Sequence, residues 1–503
     1  MRRFIALFIA SLLTVTALFG CKTADSNHAH KDQNDDGTCD VCEVTVYVNF
    51  DFYVINDLHG KFDDSDSQPG VDELSSYLRA AQFGNENTIL LSSGDMWQGS
   101  SESNLTKGNL ITDWMNDLNF TAMTMGNHEY DWGEEYIIRN EEIAEFPFLG
   151  INIYSVETNE RVEYCDASVM IDMNGIQIGV IGAIGDCYSS IASDFTKGIY
   201  FKTGAELTAL VKEEAISLRE QGADFIVYSL HDGYDGKDYS NSLSDDMVSG
   251  YYDSVLSDEY VDVIFEGHTH RYYVKQDSHG VYHLQGGGDN VGLIHFDVDI
   301  NSVTGSYSVV TAEFVGKERY TRSYSADPIV DQLLEKYDEQ ISVGKEVLGY
   351  NKRSRDSQEL RKIAADLYFE KGMELWGDEY DIVLGGGFFS VRSPGFLESG
   401  DVTYSQLQMI FPFDNQLVLC SIKGKDLREK FFETDHYSYF ISYGSYGSQV
   451  KQNIDPNGIY YVVVDSYTST YGPNNLTEIE RYQENIFLRD LFADYIQMGL
   501  LES

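Results

Sequence analysis

The stretch GNHEYDWG, residues 126–133, sets an amide, an imidazole and a carboxylate between glycines: Asn127, His128 and Asp131. Comparable groups recur along the chain. NDLHG holds Asp57 and His59, SGDMWQG holds Asp95, YSLHDG holds His231, and FEGHTH holds His268 and His270. In an extended segment, residues i and i+2 leave the same face. Asp57 and His59 could therefore seize one divalent ion together, and His268 and His270 could reach two neighbouring ions. Carboxylate, imidazole and amide oxygen form a donor set of mixed hardness, which suits zinc, manganese or iron rather than calcium.

These groups need elements to position them, and each stands just beyond an apolar run. VTVYVNFDFYVIND, TILLSS, FTAMTM, ADFIVYSL and VDVIFEG read as strands, with IQIGVIGAI in the same series. Helical patterns alternate with them: VDELSSYLRAAQF, with Leu74, Leu78 and Ala81 on one face, then LITDWMNDL and TGAELTALVKEEAISLREQ. Alternation of this kind predicts layered α/β structure, in which ligands bind outside the carboxyl ends of the strands. VYHLQGGGDNVGLIHFDVDI reads as antiparallel strands about a Gly-rich turn. A length of 503 residues predicts two or three domains. The boundaries expected are a catalytic unit over 45–315, a connecting helix over 316–345 (YSADPIVDQLLEKYDEQI) and a smaller α/β unit over 346–503. The last includes helix ELRKIAADLYFEKGMELWG, strand YDIVLGGGFF, and LVLCSIKGKDLREKFFE.

Bulk charge excludes some partners. Against 82 Asp+Glu stand 35 Lys+Arg, a net charge of −47. A field of that sign repels nucleic acid polymers. MRRFIALFIASLLTVTALFG, residues 1–20, has a basic head and an apolar middle, the pattern of a signal peptide. LFGC resembles a bacterial lipobox with Cys21 as lipid acceptor, although Phe19 is bulky for its place. The expectation is an exported body held to the membrane by an N-terminal lipid. Residues 21–44 then read as a polar tether. Within it DQNDDGTCDVCE puts Asp32, Asn34, Asp36, Gly37, Asp40 and Glu43 at calcium-loop positions. His28, His30, Cys39 and Cys42 offer a zinc set instead, and a plain acidic spacer is the third reading. A disulfide between Cys165 and Cys187 is conceivable.

The five elements in this order (D-x-H, GD, GNHE, a histidine after a strand, GH-x-H) resemble the calcineurin-like metallophosphoesterases. With the Asp131 that follows GNHE and the second unit, the chain is similar to their 5′-nucleotidase, UDP-sugar hydrolase and 2′,3′-cyclic phosphodiesterase branch over about residues 45–490. The resemblance implies a four-layer α/β/β/α sandwich followed by a smaller α/β nucleotidase domain. It implies two divalent ions, of zinc, manganese, iron or cobalt. One would take Asp57, His59, Asp95 and His270; the other would take Asp95, Asn127, His231 and His268. A metal-activated hydroxide would attack phosphorus, with His128 serving the leaving group and Asp131 holding its ring. FPFDN matches the branch's P-F-x-N, so Phe413 is the expected base-stacking ring and Asn415 a base contact. Tyr467 or Tyr471 would supply the second ring. The branch's G-G-G-[IF]-R is altered, with Phe389 in place of its arginine, and Arg392 is expected to take over. Arg353 and Arg355 lie near where other substrate arginines fall.

The function implied is an extracytoplasmic phosphohydrolase acting on nucleotides. A 2′,3′-cyclic-nucleotide phosphodiesterase/3′-nucleotidase and a nucleotide-sugar pyrophosphatase are alternatives. A surface binding protein on the same fold is a reading of another class, against which a full donor set argues.

Overall fold

The computed structural model describes the chain apart from residues 1–30, 35, 42–45, 63–69, 235–259, 289–291, 390, 393–394, 433–441, 473–474, 483–485 and 502–503. The expected signal segment, Cys21, His28, His30, Cys42 and Glu43 lie outside the described residues.

Alternation along the first strand explains the layering. In Tyr47–Ile55 the side chains of Phe50, Phe52 and Val54 face one apolar layer, and those of Tyr53 and Ile55 face another. The strand runs antiparallel to Leu293–Asn301 and parallel to Thr88–Ser92. Ala122–Thr124 and Phe148–Leu149 extend the sheet on one side and Tyr307–Val315 on the other, giving six strands. A second six-stranded sheet runs Tyr272–Gln276, Tyr282–Gly286, Val263–Glu266, Phe225–His231, Ile176–Ile184 and Ser168–Met173. Between the sheets the Phe52 ring lies 6.0 Å from Phe225, 6.1 Å from Phe265 and 6.2 Å from Phe296. Truncating a ring so enclosed costs about 3–5 kcal/mol. Helices Asp72–Gly84 and Asn109–Asp117 cover the outer face of the first sheet with Leu74, Leu78 and Trp114. Helix Gly204–Glu220 covers the second sheet with Val211, Ala215 and Leu218. This is the α/β/β/α sandwich.

The strands that precede the chemical groups run parallel to one another within each sheet, so their carboxyl ends share a rim. The connection differs from the single helix expected. Asp327 caps helix Pro328–Lys336 by accepting from Ile329 N, with Pro328 at the first helical position, where its missing N–H costs nothing. Short helices Glu318–Thr321 and Asp338–Ile341 flank it, and Val330, Leu333, Tyr337 and Ile341 pack into the first unit's helical core.

The second unit has a five-stranded sheet in the order Ser442–Tyr443, Ile382–Gly387, Ile459–Asp465, Leu417–Lys423, Thr477–Arg481. Helix Ser357–Trp376 lies on it, capped by Asp356 through Gln358 N and Glu359 N. A Cβ at Gly372 would overlap Val463, so glycine there lets the helix approach the sheet.

Two smaller expectations are corrected. The described part of the tether is packed: Asp32 is buried and accepts from Asp36 N at 3.1 Å, Gly37 N at 2.9 Å and Asn301 Nδ2 at 2.7 Å. Cys165 and Cys187 are separate buried thiols, not a disulfide. No helix among the described residues is long and apolar enough to cross a membrane.

Candidate active site

At the rim the backbone is bent to aim its side chains. Of the ten described non-glycine residues with positive φ, five are Asp57, His59, Asp95, His268 and His270. Each left-handed residue costs free energy, so their concentration at one place marks a site held by its surroundings. Asp57 and Asp95 are fully enclosed. Two buried carboxylates side by side are costly unless cations or donors compensate them.

The donors converge. His231 Nε2 lies 3.1 Å from Asp95 Oδ2 and 3.3 Å from Asn127 Oδ1. His270 Nε2 lies 3.5 Å from Asp57 Oδ1 and 3.0 Å from His59 Nε2, which is 4.0 Å from Asp95 Oδ2. Donor atoms of Asp57, His59 and His270 lie within 4.8 Å of one another, as do those of Asp57, Asp95 and His231. Carbonyls settle two tautomers. His59 Nδ1 donates to Gln98 O at 2.8 Å and His231 Nδ1 to Ser93 O at 2.6 Å. Because a carbonyl only accepts, each ring must carry its proton on Nδ1, leaving the Nε2 lone pair for a metal. Donor types, tautomers and convergence all fit divalent cations. The triad Cys187, His231 and His268 also comes within 4.8 Å, but the Cys187 thiol donates to His231 O at 2.9 Å.

His128 stands at the edge of this cluster. Its backbone N–H donates to Asp95 Oδ1 at 2.8 Å, and its Nδ1 lies 2.6 Å from Asp131 Oδ2. Burial disfavours the charged ring, yet Asp131 and Asp95 outweigh it and hold the imidazole up at about 9. With Nδ1 engaged, Nε2 is the nitrogen left for a ligand.

Beside it opens a cavity of about 640 Å³ lined by both units, including Asp95, Asn127, His128, His268 and His270 from the first. From the second come Arg392, Phe413, Asn415 and Tyr467, all expected there. Phe413 lies 6.1 Å from His128 with the rings 25° from parallel, and the Arg392 guanidinium sits 5.2 Å from the Phe413 centroid. Tyr471 is not in this wall; its hydroxyl donates to Ile191 O at 2.5 Å, and its ring lies 4.9 Å from Tyr467. Arg353 and Arg355 are also elsewhere. Arg353 is paired with Glu359 at the surface, and Arg355 is buried against Asn351 and Leu501 O.

Three residues escaped the sequence reading. Arg361, on helix Ser357–Trp376, lines the cavity and donates through Nε to Phe389 O at 3.1 Å. Phe389 has φ of 24°, and its ring packs on Tyr368, so the altered loop presents a carbonyl that holds an arginine from another element. Glu129 accepts from Asp95 N at 2.9 Å, Met96 N at 2.8 Å and Gly126 N at 2.8 Å, binding two of the rim loops together. Gln285 does the same for the histidine loop. Its Oε1 accepts from Thr269 Oγ1 at 2.9 Å and Arg271 N at 2.7 Å, and its Nε2 donates to Gly267 O at 2.7 Å. Glu129 sits inside GNHE and was visible there; Gln285 and Arg361 had no local signal.

Residues 50–272 match the family described as Calcineurin-like phosphoesterase. The chain is similar to Protein UshA of Yersinia enterocolitica, 26% identical over an alignment of 468 residues, with 82% of each chain covered. A 5′-nucleotidase of Vibrio vulnificus is 31% identical over 203 residues, 40% of this chain and 34% of that one. In fold the chain is like the 5′-nucleotidase precursor of Thermus thermophilus, with a TM-score of 0.68 at 16% identity, covering 90% of this chain and 97% of that one.

Proposed function

We propose that this chain, which carries a calcineurin-like phosphoesterase domain over residues 50–272 and is a phosphoric ester hydrolase, removes phosphate from nucleotides outside the cytoplasm. One observation carries the reading: the metal-donor cluster, the His128–Asp131 pair and the Phe413 ring face one cavity. Phosphoryl hydrolysis needs the first two, and a nucleoside gives the third its purpose.

Asp57, His59, Asp95 and His270 would hold one divalent ion, and Asp95, Asn127, His231 and His268 a second. Bound there, the ions would supply a water-derived nucleophile near neutral pH and offset phosphate charge. Asp95, whose Oδ2 lies 3.1 Å from His231 Nε2 and 4.0 Å from His59 Nε2, would be shared between the two. His128 Nε2 then passes a proton to the departing ester oxygen, and Asp131 keeps the ring turned and basic enough to carry it. Arg392 offers its guanidinium to phosphate or ribose oxygens beside His128. Phe413, with Tyr467 lining the same cavity, takes the base, and Asn415 reads its edge. Stacking of this kind is worth about 1–3 kcal/mol per base. Export and anchoring through Cys21 complete the reading.

The test is phosphate release from AMP by the full-length protein loaded with Mn²⁺, Zn²⁺, Mg²⁺ or Co²⁺ in turn, beside bis-p-nitrophenyl phosphate and UDP-glucose. Asp95→Ala and His231→Ala should each lower AMP turnover on the order of 10³-fold or more, about 4 kcal/mol. Unchanged turnover in the folded variants refutes the metal site. A preference for the diester or the nucleotide sugar reassigns the substrate.

A further inference from the structure

Both units of the chain reach for a single carboxylate next to the stacking ring. Lys107 follows helix Ser101–Thr106 in a left-handed turn, with φ of 52°, and points Nζ to Asp414 Oδ2 at 2.9 Å. The other Asp414 oxygen accepts from Arg489, on the C-terminal helix Leu488–Gln497. Arg489 also donates to the carbonyls of Pro412 at 3.5 Å and Phe413 at 3.4 Å. The segment 412–414 is thus pinned from behind by its own unit and from the front by the other. The Lys107 ammonium lies 5.0 Å from the Trp132 centroid and 5.6 Å from that of Tyr136, rings that follow Asp131 in sequence. Ser101 Oγ donates to Ser405 Oγ at 2.7 Å at the same junction.

We propose that Lys107 is a positioning residue for the substrate: through Asp414 it sets the Phe413 ring against His128. Grip on a base would then depend on a charge carried by the phosphoesterase unit. The inference rests on the reading of Phe413 as the stacking ring.

The energetics favour a positioning role over a merely adhesive one. An ammonium withdrawn from water is costly, so Lys107 stays charged only while a partner compensates it. Burial pulls its pKa down and Asp414 pulls it back up. The side chains are 25% and 11% exposed, so the pair is less screened than a surface one. Asp414 has two cationic partners. Removing Lys107 leaves Arg489 in place, so no carboxylate is stranded and the fold has no reason to fail. What is lost is the link between Phe413 and the unit that carries His128.

The experiment compares AMP with ribose 5-phosphate, the same ester without its base, using the full-length metal-loaded protein. For Lys107→Met the AMP KM should rise about tenfold relative to that of ribose 5-phosphate, with kcat and bound metal unchanged. Lys107→Arg should restore most of the difference. Phe413→Ala is the reference and should shift the same ratio. If Phe413→Ala shifts it and Lys107→Met does not, the positioning role is overturned while the stacking reading survives. If Phe413→Ala shifts nothing, the stacking reading itself falls and the inference with it. A fall in kcat on both esters that Lys107→Arg does not restore makes Lys107 a structural strut and overturns the proposal.

Discussion

The rim of the sandwich and the wall contributed by the second unit answer to different tolerances. At the rim, every donor read from the sequence arrives within a few ångströms of its partners, held by strained backbone and by carbonyls that dictate tautomers. In the wall, two of the expected arginines are spent elsewhere, and Arg361 comes from a helix instead. A cation accepts lone pairs only at fixed distance and direction, so its ligands admit little rearrangement. A nucleotide in a cavity of about 640 Å³ can be met by a guanidinium from several elements.

The comparison breaks first at His128. His128→Ala should keep the bound metals yet lose turnover by roughly 10²–10⁴. Alkyl phosphates should suffer more than p-nitrophenyl phosphate, whose leaving oxygen needs no proton. Equal losses would remove His128 from the leaving-group role.

Gln285 tests whether the rim's rigidity lies in its supports. Gln285→Leu removes three hydrogen bonds to the loop of His268 and His270. Titration with Mn²⁺ should show affinity weakened by about 10–100-fold, as for other outer-sphere partners. Undiminished affinity would place the rigidity in the backbone alone.

On the wall side, Arg361→Met should raise the AMP KM about tenfold, in line with loss of one charged hydrogen bond, while Arg353→Met stays within about twofold because its partner is a surface glutamate. The reverse result would restore the arginine order read from the sequence.

The last effect lies beneath the rim and is read in stability. His283 is enclosed between Glu266 Oε1 at 3.3 Å and Asp277 Oδ2 at 3.7 Å. Burial opposes its charge, but the two carboxylates hold it up at about 8. A histidine raised above its ordinary value stabilises fully below about pH 6.5 and loses that contribution as pH climbs through 8, here about 2 kcal/mol. Thermal unfolding of the metal-loaded protein should therefore weaken over that interval, and His283→Gln should flatten the trend. A slope that survives the substitution assigns it to other groups.

The element order and the layered α/β character were legible because strand alternation and helical spacing are local; the four-layer arrangement came from the family resemblance. So was the candidate metal set, since each donor follows its strand within a few residues. The connection was misread because Pro328 and its cap divide a pattern that looked continuous. Gln285 and Arg361 were invisible because their partners lie on other elements: Gln285 is 14 residues from Arg271, and Arg361 is 28 from Phe389.

The sequence by itself determined which strands form, which residues sit at their carboxyl ends, and hence what chemistry the rim can support. Those are consequences of side-chain period and of polar groups placed after apolar runs. Tertiary structure alone decided which nitrogen of each histidine faces inward, which arginine enters the cavity, and which lysine meets Asp414. Each of these choices is a contact between segments remote in the chain, and such contacts leave no periodic or compositional trace.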